Sequence, residues 1–357
     1  MHSALLAPCR PLHSSARCSF TRTIDCLSIS IAARCKYLLD VSLYRLSIMD
    51  LQDNHDYYEA NEADVNLEQV TSSAANAKIL QRLRDGDDKL TSLHLSTPRW
   101  GWIGLNSFII SEEDLGWLGY FIGKSPHLKS LHIWSMPEGE QIDAFVKGIA
   151  SNHSIRNIVI EYMSDDARAA IVRAVDNYSQ LEQLSINCGD NFGPNSHCAV
   201  ETLLELGVCS LSLRNFCLMG NSVSDDVICS FVNGLKSIAA SLEVLELSET
   251  SIGNEGLLAV VAGLANTATL KKLDFYRNDF SSAAEGLSSL SEWLKSHSKT
   301  LEVLNLQHCQ LNDQGLQAFT RGTAIHCREL ILGGNRSITA TGLSCLSNSL
   351  QSRFLIF

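Results

Sequence analysis

The chain has 357 residues, of which 45% are apolar, and 39 acidic against 28 basic side chains give a formal net charge of -11. This balance disfavours nonspecific attraction to nucleic acid or to an anionic membrane, and no window of eighteen apolar residues offers a membrane span. Twelve cysteines occur, but there is no CxxC pair and no histidine cluster at metal-ligand spacing, so the reading is free thiols in a reducing compartment, with no metal and no cofactor.

Residues 1–48 carry Arg10, Arg17, Arg22, Arg34, Lys36 and Arg45 against only Asp25 and Asp40. That mix is compatible with an organelle-targeting peptide. The blander reading is an extension ahead of a start at Met49, which would leave a cytoplasmic protein. Residues 49–73 form an acidic stretch with few apolar side chains (Asp50, Asp53, Asp56, Glu59, Glu62, Asp64, Glu68) and are expected to be a flexible lead. In 74–89, Ile79, Leu80 and Leu83 recur at helical spacing, which predicts a capping helix over the open N-terminal edge of the domain that begins at residue 90.

From residue 90 to the end, one phrase repeats. Apolar residues stand at its first, fourth and sixth positions, as in Leu301, Leu304 and Leu306. Copies start at 90, 128, 155, 181, 208, 242, 270, 301 and 327, with most steps between 26 and 31 residues. The fifth copy is read as Val208-Leu211-Leu213. Each phrase predicts a short strand and a tight turn. The ninth position is often small or polar: Thr250, Asn278, Cys309, Asn335. Between phrases, apolar residues recur three and four apart (Ile252, Leu257, Val260, Leu264), so every unit closes with a helix. Asn254 and Asp313 are placed to cap such helices. The acidic pairs Asp165-Asp166 and Asp225-Asp226 and the run Glu112–Asp114 compensate helix N-termini. The 96–127 insertion contains a helix with Ser111 as its N-cap, and its tryptophans read as packing. The loop 189–197 has neither a dinucleotide fingerprint nor a phosphate-loop lysine. The chain closes on SLQSRFLIF, which reads as one more strand with Leu355 or Ile356 inward; either it folds over the last unit or the chain is an incomplete version of a longer one.

The LxxLxLxx(N/C)xL phrase, with Gly-Leu about fourteen positions in, resembles leucine-rich repeats of the long, ribonuclease-inhibitor-like intracellular subtype. The resemblance covers about 90–350 and departs from the pattern at Pro98, Met163, Gly189 and Phe216. It implies an α/β fold, a right-handed horseshoe solenoid with parallel strands on the concave side and helices on the convex side.

Strand side chains alternate, so the fifth and seventh positions of each phrase face the concave side. They are His132/Trp134, Val159/Glu161, Ser185/Asn187, Ser212/Arg214, Glu246/Ser248, Asp274/Tyr276, Asn305/Gln307 and Ile331/Gly333, followed by Tyr162, Glu249, Arg277 and His308. An outward tryptophan is poorly explained by the core, and aromatic residues dominate binding hot spots. No histidine, serine or carboxylate group is tied to a strand end or oxyanion turn as catalysis requires. The expected function is therefore non-catalytic recognition of a protein, with some basic surface, on the concave strip. The alternative is a regulator resembling the GTPase-activating proteins of the nuclear-transport GTPase, which supply an arginine from an early loop; Arg99 is the residue in a comparable loop.

Overall fold

The computed structural model describes residues 56–71, 73–98, 106–111, 115–137, 142–175, 178–187, 213–220, 225–297, 300–321, 327–347 and 354–356. The chain divides at Asn54/His55, and all of these residues belong to the second unit. Among the described residues, eleven strands pair in parallel in a single sheet. They are β1 (Ser92–Ser96), β2 (Ser107–Ile109), β3 (Ser130–Ser135), β4 (Asn157–Tyr162), β5 (Gln183–Asn187), β6 (Asn215–Met219), β7 (Val244–Ser248), β8 (Lys272–Asp274), β9 (Val303–Asn305), β10 (Glu329–Ile331) and β11 (Phe354–Ile356). The helix α1 (Ala74–Arg84) precedes them, and between them lie α2 (Leu115–Lys124), α3 (Ile142–Ser151), α4 (Asp165–Ala174), α5 (Asp225–Ile238), α6 (Asn254–Gly263), α7 (Ala284–His297), α8 (Asp313–Thr320) and α9 (Ala340–Ser347). This is an α/β solenoid in which parallel strands alternate with helices in repeating units, as in a leucine-rich repeat horseshoe. The fourth- and sixth-position side chains, such as Leu131/Ile133 and Leu245/Leu247, are buried in one continuous core.

Each unit is fastened to the next by a carbonyl at the second position of the phrase. The carbonyl oxygens of Thr91, Lys129, Arg156, Glu182, Arg214, Glu243 and Lys271 each accept two successive backbone N–H groups of the following unit, at 2.7–3.1 Å. The ninth position supplies a second fastening. Asn278 donates through Nδ2 to the carbonyls of Leu247 (2.7 Å) and Phe275 (2.9 Å), and its Oδ1 accepts from Ile252 N (2.9 Å) and Thr250 Oγ1 (3.1 Å). Asn335 repeats the arrangement on Leu306, Leu332 and Leu311, and the Cys309 thiol donates to Phe275 O at 3.0 Å. Burial pushes that thiol up to about 12, so it stays a neutral donor.

The fifth unit lies in a different register from Val208-Leu211-Leu213. β6 pairs Leu184 with Phe216 and Ile186 with Leu218, so the phrase starts at Leu213, with Phe216 and Leu218 fully buried. Val208 and Leu211 lie outside the described residues. Arg214 consequently occupies the second position, not the seventh, and pairs through its guanidinium with Glu243. Cys217 and Met219 take the outward places in this strand.

The N-terminal edge also differs from expectation. β2, from the 96–127 insertion, pairs on the side of β1 away from β3, so the free edge belongs to β2. Alternation in Ser107–Ile109 buries Phe108. The buried Asn76 of α1 faces this edge as a strand would, donating to Ile109 O at 2.7 Å and accepting from Ile109 N at 3.1 Å. The acidic stretch contributes contacts from residue 56 onward. Tyr58 packs edge-on against Trp117 at 4.8 Å, and Glu62 accepts from Tyr120 (2.8 Å) and Lys124 (2.5 Å). Burial works against the Glu62 charge, but those donors outweigh it and hold the carboxyl below its ordinary range.

Three side chains at helix starts reach across to the following unit. Asn254 Oδ1 accepts from Gly286 N (2.9 Å), Asp225 Oδ1 from Gly253 N (2.6 Å) and Asp313 Oδ1 from Thr339 N (2.7 Å). The residue that caps α8 is Asn312, one place before Asp313, accepting from Gly315 N at 2.9 Å. At the other end, β11 pairs with β10 so that Leu355 is in register with inward Leu330, and Ile356 is exposed.

Helices α2 and α3 touch backbone to backbone. A Cβ on Gly148 would collide with the Gly119 carbonyl, whereas the one tight neighbour of a Cβ on Gly315 would be the end of the Leu287 side chain, at 3.1 Å. Gly148→Ala is expected to cost about 1–3 kcal/mol or more in urea denaturation. Gly315→Ala should change stability little, because a flexible side chain can give way. Equal losses would contradict the helix contact.

Candidate functional site

The open face of the sheet is built by fifth- and seventh-position side chains of successive strands. Its N-terminal part is a row of rings across β1, β3 and β4. His94 and His132 lie 5.3 Å apart, His132 and Trp134 5.8 Å, and Trp134 and Tyr162 5.5 Å. All four side chains are half-buried. Burial, and then the neighbouring His132, lower the affinity of His94 for a proton. Glu161, beside Trp134 in the ladder, accepts from Asn187 Nδ2 at 2.8 Å and faces His132 Nε2 at 3.4 Å. The indole Nε1 of Trp134 is shielded from solvent and has no hydrogen-bond partner among the described residues. Such an orphan donor costs free energy in the free protein.

The C-terminal part is polar and largely self-satisfied. Lys272 Nζ lies 2.5 Å from Glu246 and 3.3 Å from Asp274. Burial works against the lysine charge, but these two carboxylates outweigh it and raise its pKa above the ordinary value. Asn305 donates to Asp274 Oδ2 at 3.1 Å, and Asn305 Oδ1 accepts from Gln307 N at 2.9 Å. Between the two parts, burial pushes the Cys217 thiol up to about 12. Arg277 lies over the Tyr276 ring at 5.5 Å and pairs with Glu249 at 3.1 Å; His308 meets the same ring edge-on at 5.7 Å.

These side chains fall into two groups. His132, Trp134, Glu161, Tyr162 and Asn187 form one neighbourhood, to which the structure adds His94. Glu246, Asp274, Tyr276, Asn305 and Gln307 line the other. Arg214 belongs to neither, standing instead in a row of charges at the second position with Arg156, Glu182, Glu243 and Lys271. His94 could have been named from sequence, since it holds the same fifth position in its phrase as His132. Outward did not mean exposed: Asp274 and Asn305 are both buried, because parallel strands crowd equivalent side chains together. Leu213, Phe216 and Leu218 would have shown the fifth register through the Asn221 that then falls ninth; Asn221 lies outside the described residues, as do Ser212 and Arg99. Among the described residues no group of three histidine, cysteine or acidic side chains is placed to hold a metal ion, and no helix is long and apolar enough to cross a membrane.

The burial of Asn305 yields a direct check. Asn305→Ala leaves Asp274 Oδ2 without that donor and is expected to lower stability by about 1–2 kcal/mol in chemical denaturation. Gln307→Ala, two residues on, should stay within about 0.5 kcal/mol. A neutral Asn305→Ala would mean that the two side chains are not joined.

A family model described as "Leucine Rich repeat" matches residues 239–261 and 297–319, two copies of the phrase each with most of the helix that follows it. No curated protein matches the chain. Among solved structures, one titled "Crystal structure of Rad7 and Elc1 complex in yeast" is similar, at 13% identity and a TM-score of 0.38, over 97% of this chain and 87% of that one.

Proposed function

We propose that this chain is a non-catalytic scaffold, resident in the cytoplasm, that holds another protein against the open face of its sheet. The observation that carries the reading is the row His94, His132, Trp134 and Tyr162. Four half-buried rings run side by side on the sheet face, where the solenoid core makes no use of them. Aromatic side chains lose little conformational freedom on contact and commonly anchor interfaces. Helix backs of full length, such as the 14-residue α7, support the ribonuclease-inhibitor-like subtype. The carboxylates Glu161, Glu246 and Asp274 favour a partner with some basic surface.

The test is capture by the immobilised full chain, compared with a folded Trp134→Ala form and with a control altered on the helix side, Glu292→Ala/Lys295→Ala. At least one protein should be retained by the wild type and the control and be depleted roughly tenfold or more by Trp134→Ala, as for a hot-spot residue. Equal capture by all three would remove the ring row from the binding surface.

A further inference from the structure

The ring row carries a chemical preference. Among the described residues, the fifth and seventh positions of the phrases hold three carboxylates, and two of them, Glu246 and Asp274, share Lys272. Glu161 has neither lysine nor arginine beside it among these residues. Its neighbours are the Asn187 amide at 2.8 Å and His132 at 3.4 Å, and its side chain is only 17% exposed. A carboxylate so far withdrawn from water gains from a cation.

The surroundings suit one kind of cation. Trp134 is the register neighbour of Glu161, because Ile133 pairs with Ile160, and Tyr162 stands 5.5 Å from the indole with the two rings tilted by 60°. A positive charge above these rings is attracted by their faces. A planar guanidinium can stack on an aromatic face while its N–H groups reach a carboxylate at the edge, which a compact ammonium does less well. We infer that Glu161, Trp134 and Tyr162 form a subsite for an arginine side chain presented by an extended segment of a partner protein. Phosphate-bearing ligands are disfavoured there by the carboxylate. The inference rests on the scaffold reading and names the chemistry of what that surface holds.

The probe is acetyl-Gly-Ser-Arg-Ser-Gly-amide, with the uncharged citrulline peptide as its twin. The readout is the indole N–H signals of the 15N-tryptophan-labelled full chain, with the Trp134 signal assigned by Trp134→Phe. The arginine peptide should shift the Trp134 signal saturably. Binding should fall by at least about tenfold with the citrulline peptide and in Glu161→Gln, since a charge-assisted contact is lost in each. Trp293, whose Nε1 donates to Leu264 O at 3.1 Å inside the core, reports in the same spectrum that Glu161→Gln remains folded. Equal binding of the two peptides, unchanged binding by Glu161→Gln, or an unmoved Trp134 signal overturns the inference. The probe needs no cellular partner, so a failed titration with partner capture intact rejects the arginine subsite alone. Loss of capture specificity with an intact titration rejects the scaffold reading and leaves the subsite standing.

Discussion

The repeating contact on which this molecule depends is the second-position carbonyl that takes two N–H groups from the following unit. Seven such carbonyls succeed one another from Thr91 to Lys271. Each one fixes where the next strand begins, and therefore which of its side chains face the core and which face out. A slip of one residue would invert every strand side chain. The contact is made by backbone, so it tolerates threonine, lysine, arginine or glutamate at the site. This explains how units with different side chains keep one geometry.

Other features derive from that spacing. With strands locked side by side, the turn after each strand must close over a carbonyl of the unit before it, and Asn278 and Asn335 do this with both ends of the amide. On the helix side the same stacking brings one unit's helix start against the next unit's turn. Asp225 Oδ1, Asn254 Oδ1 and Asp313 Oδ1 accept N–H groups of the next unit there. At two of the Gly-Leu marks the glycine has its cause in this contact: a Cβ on Gly256 or Gly342 would run into the carboxylate of Asp225 or Asp313. On the sheet face, close spacing turns outward polar side chains into a hydrogen-bonded row, Asp274 with Asn305, and sets rings of neighbouring strands against each other.

The strand–helix alternation was legible because leucines at the first, fourth and sixth positions are a direct imprint of the core. The fifth unit misled because Val208-Leu211-Leu213 copies the spacing while the true strand uses Phe216 at the fourth position. An aromatic residue fills that buried place as well as leucine does, and a pattern of leucines alone cannot tell the two apart. β2 was invisible for a different reason. Three residues, Ser107–Ile109, are too short for periodicity to register, and their role as an edge depends on Asn76, thirty-three residues away from Ile109. Of the candidate site, the outward positions were readable from alternation. The pairing of Glu246 with Lys272, and the Asn187 amide and His132 that stand beside Glu161 instead of a lysine or arginine, depend on neighbours in other units and could be seen only in three dimensions.

If units are held by their nearest neighbours, damage at one junction should spread to the units that share it and stop there. Hydrogen exchange of the full chain, wild type beside Asn278→Ala, measures this, because amide protection reports local opening. Loss of the Asn278 side chain removes bonds to Leu247 O, Phe275 O, Ile252 N and Thr250. The account predicts faster exchange across residues 242–309, with 115–162 as protected as before. Acceleration confined to the turn at residue 278, or spread evenly along the whole chain, would contradict it.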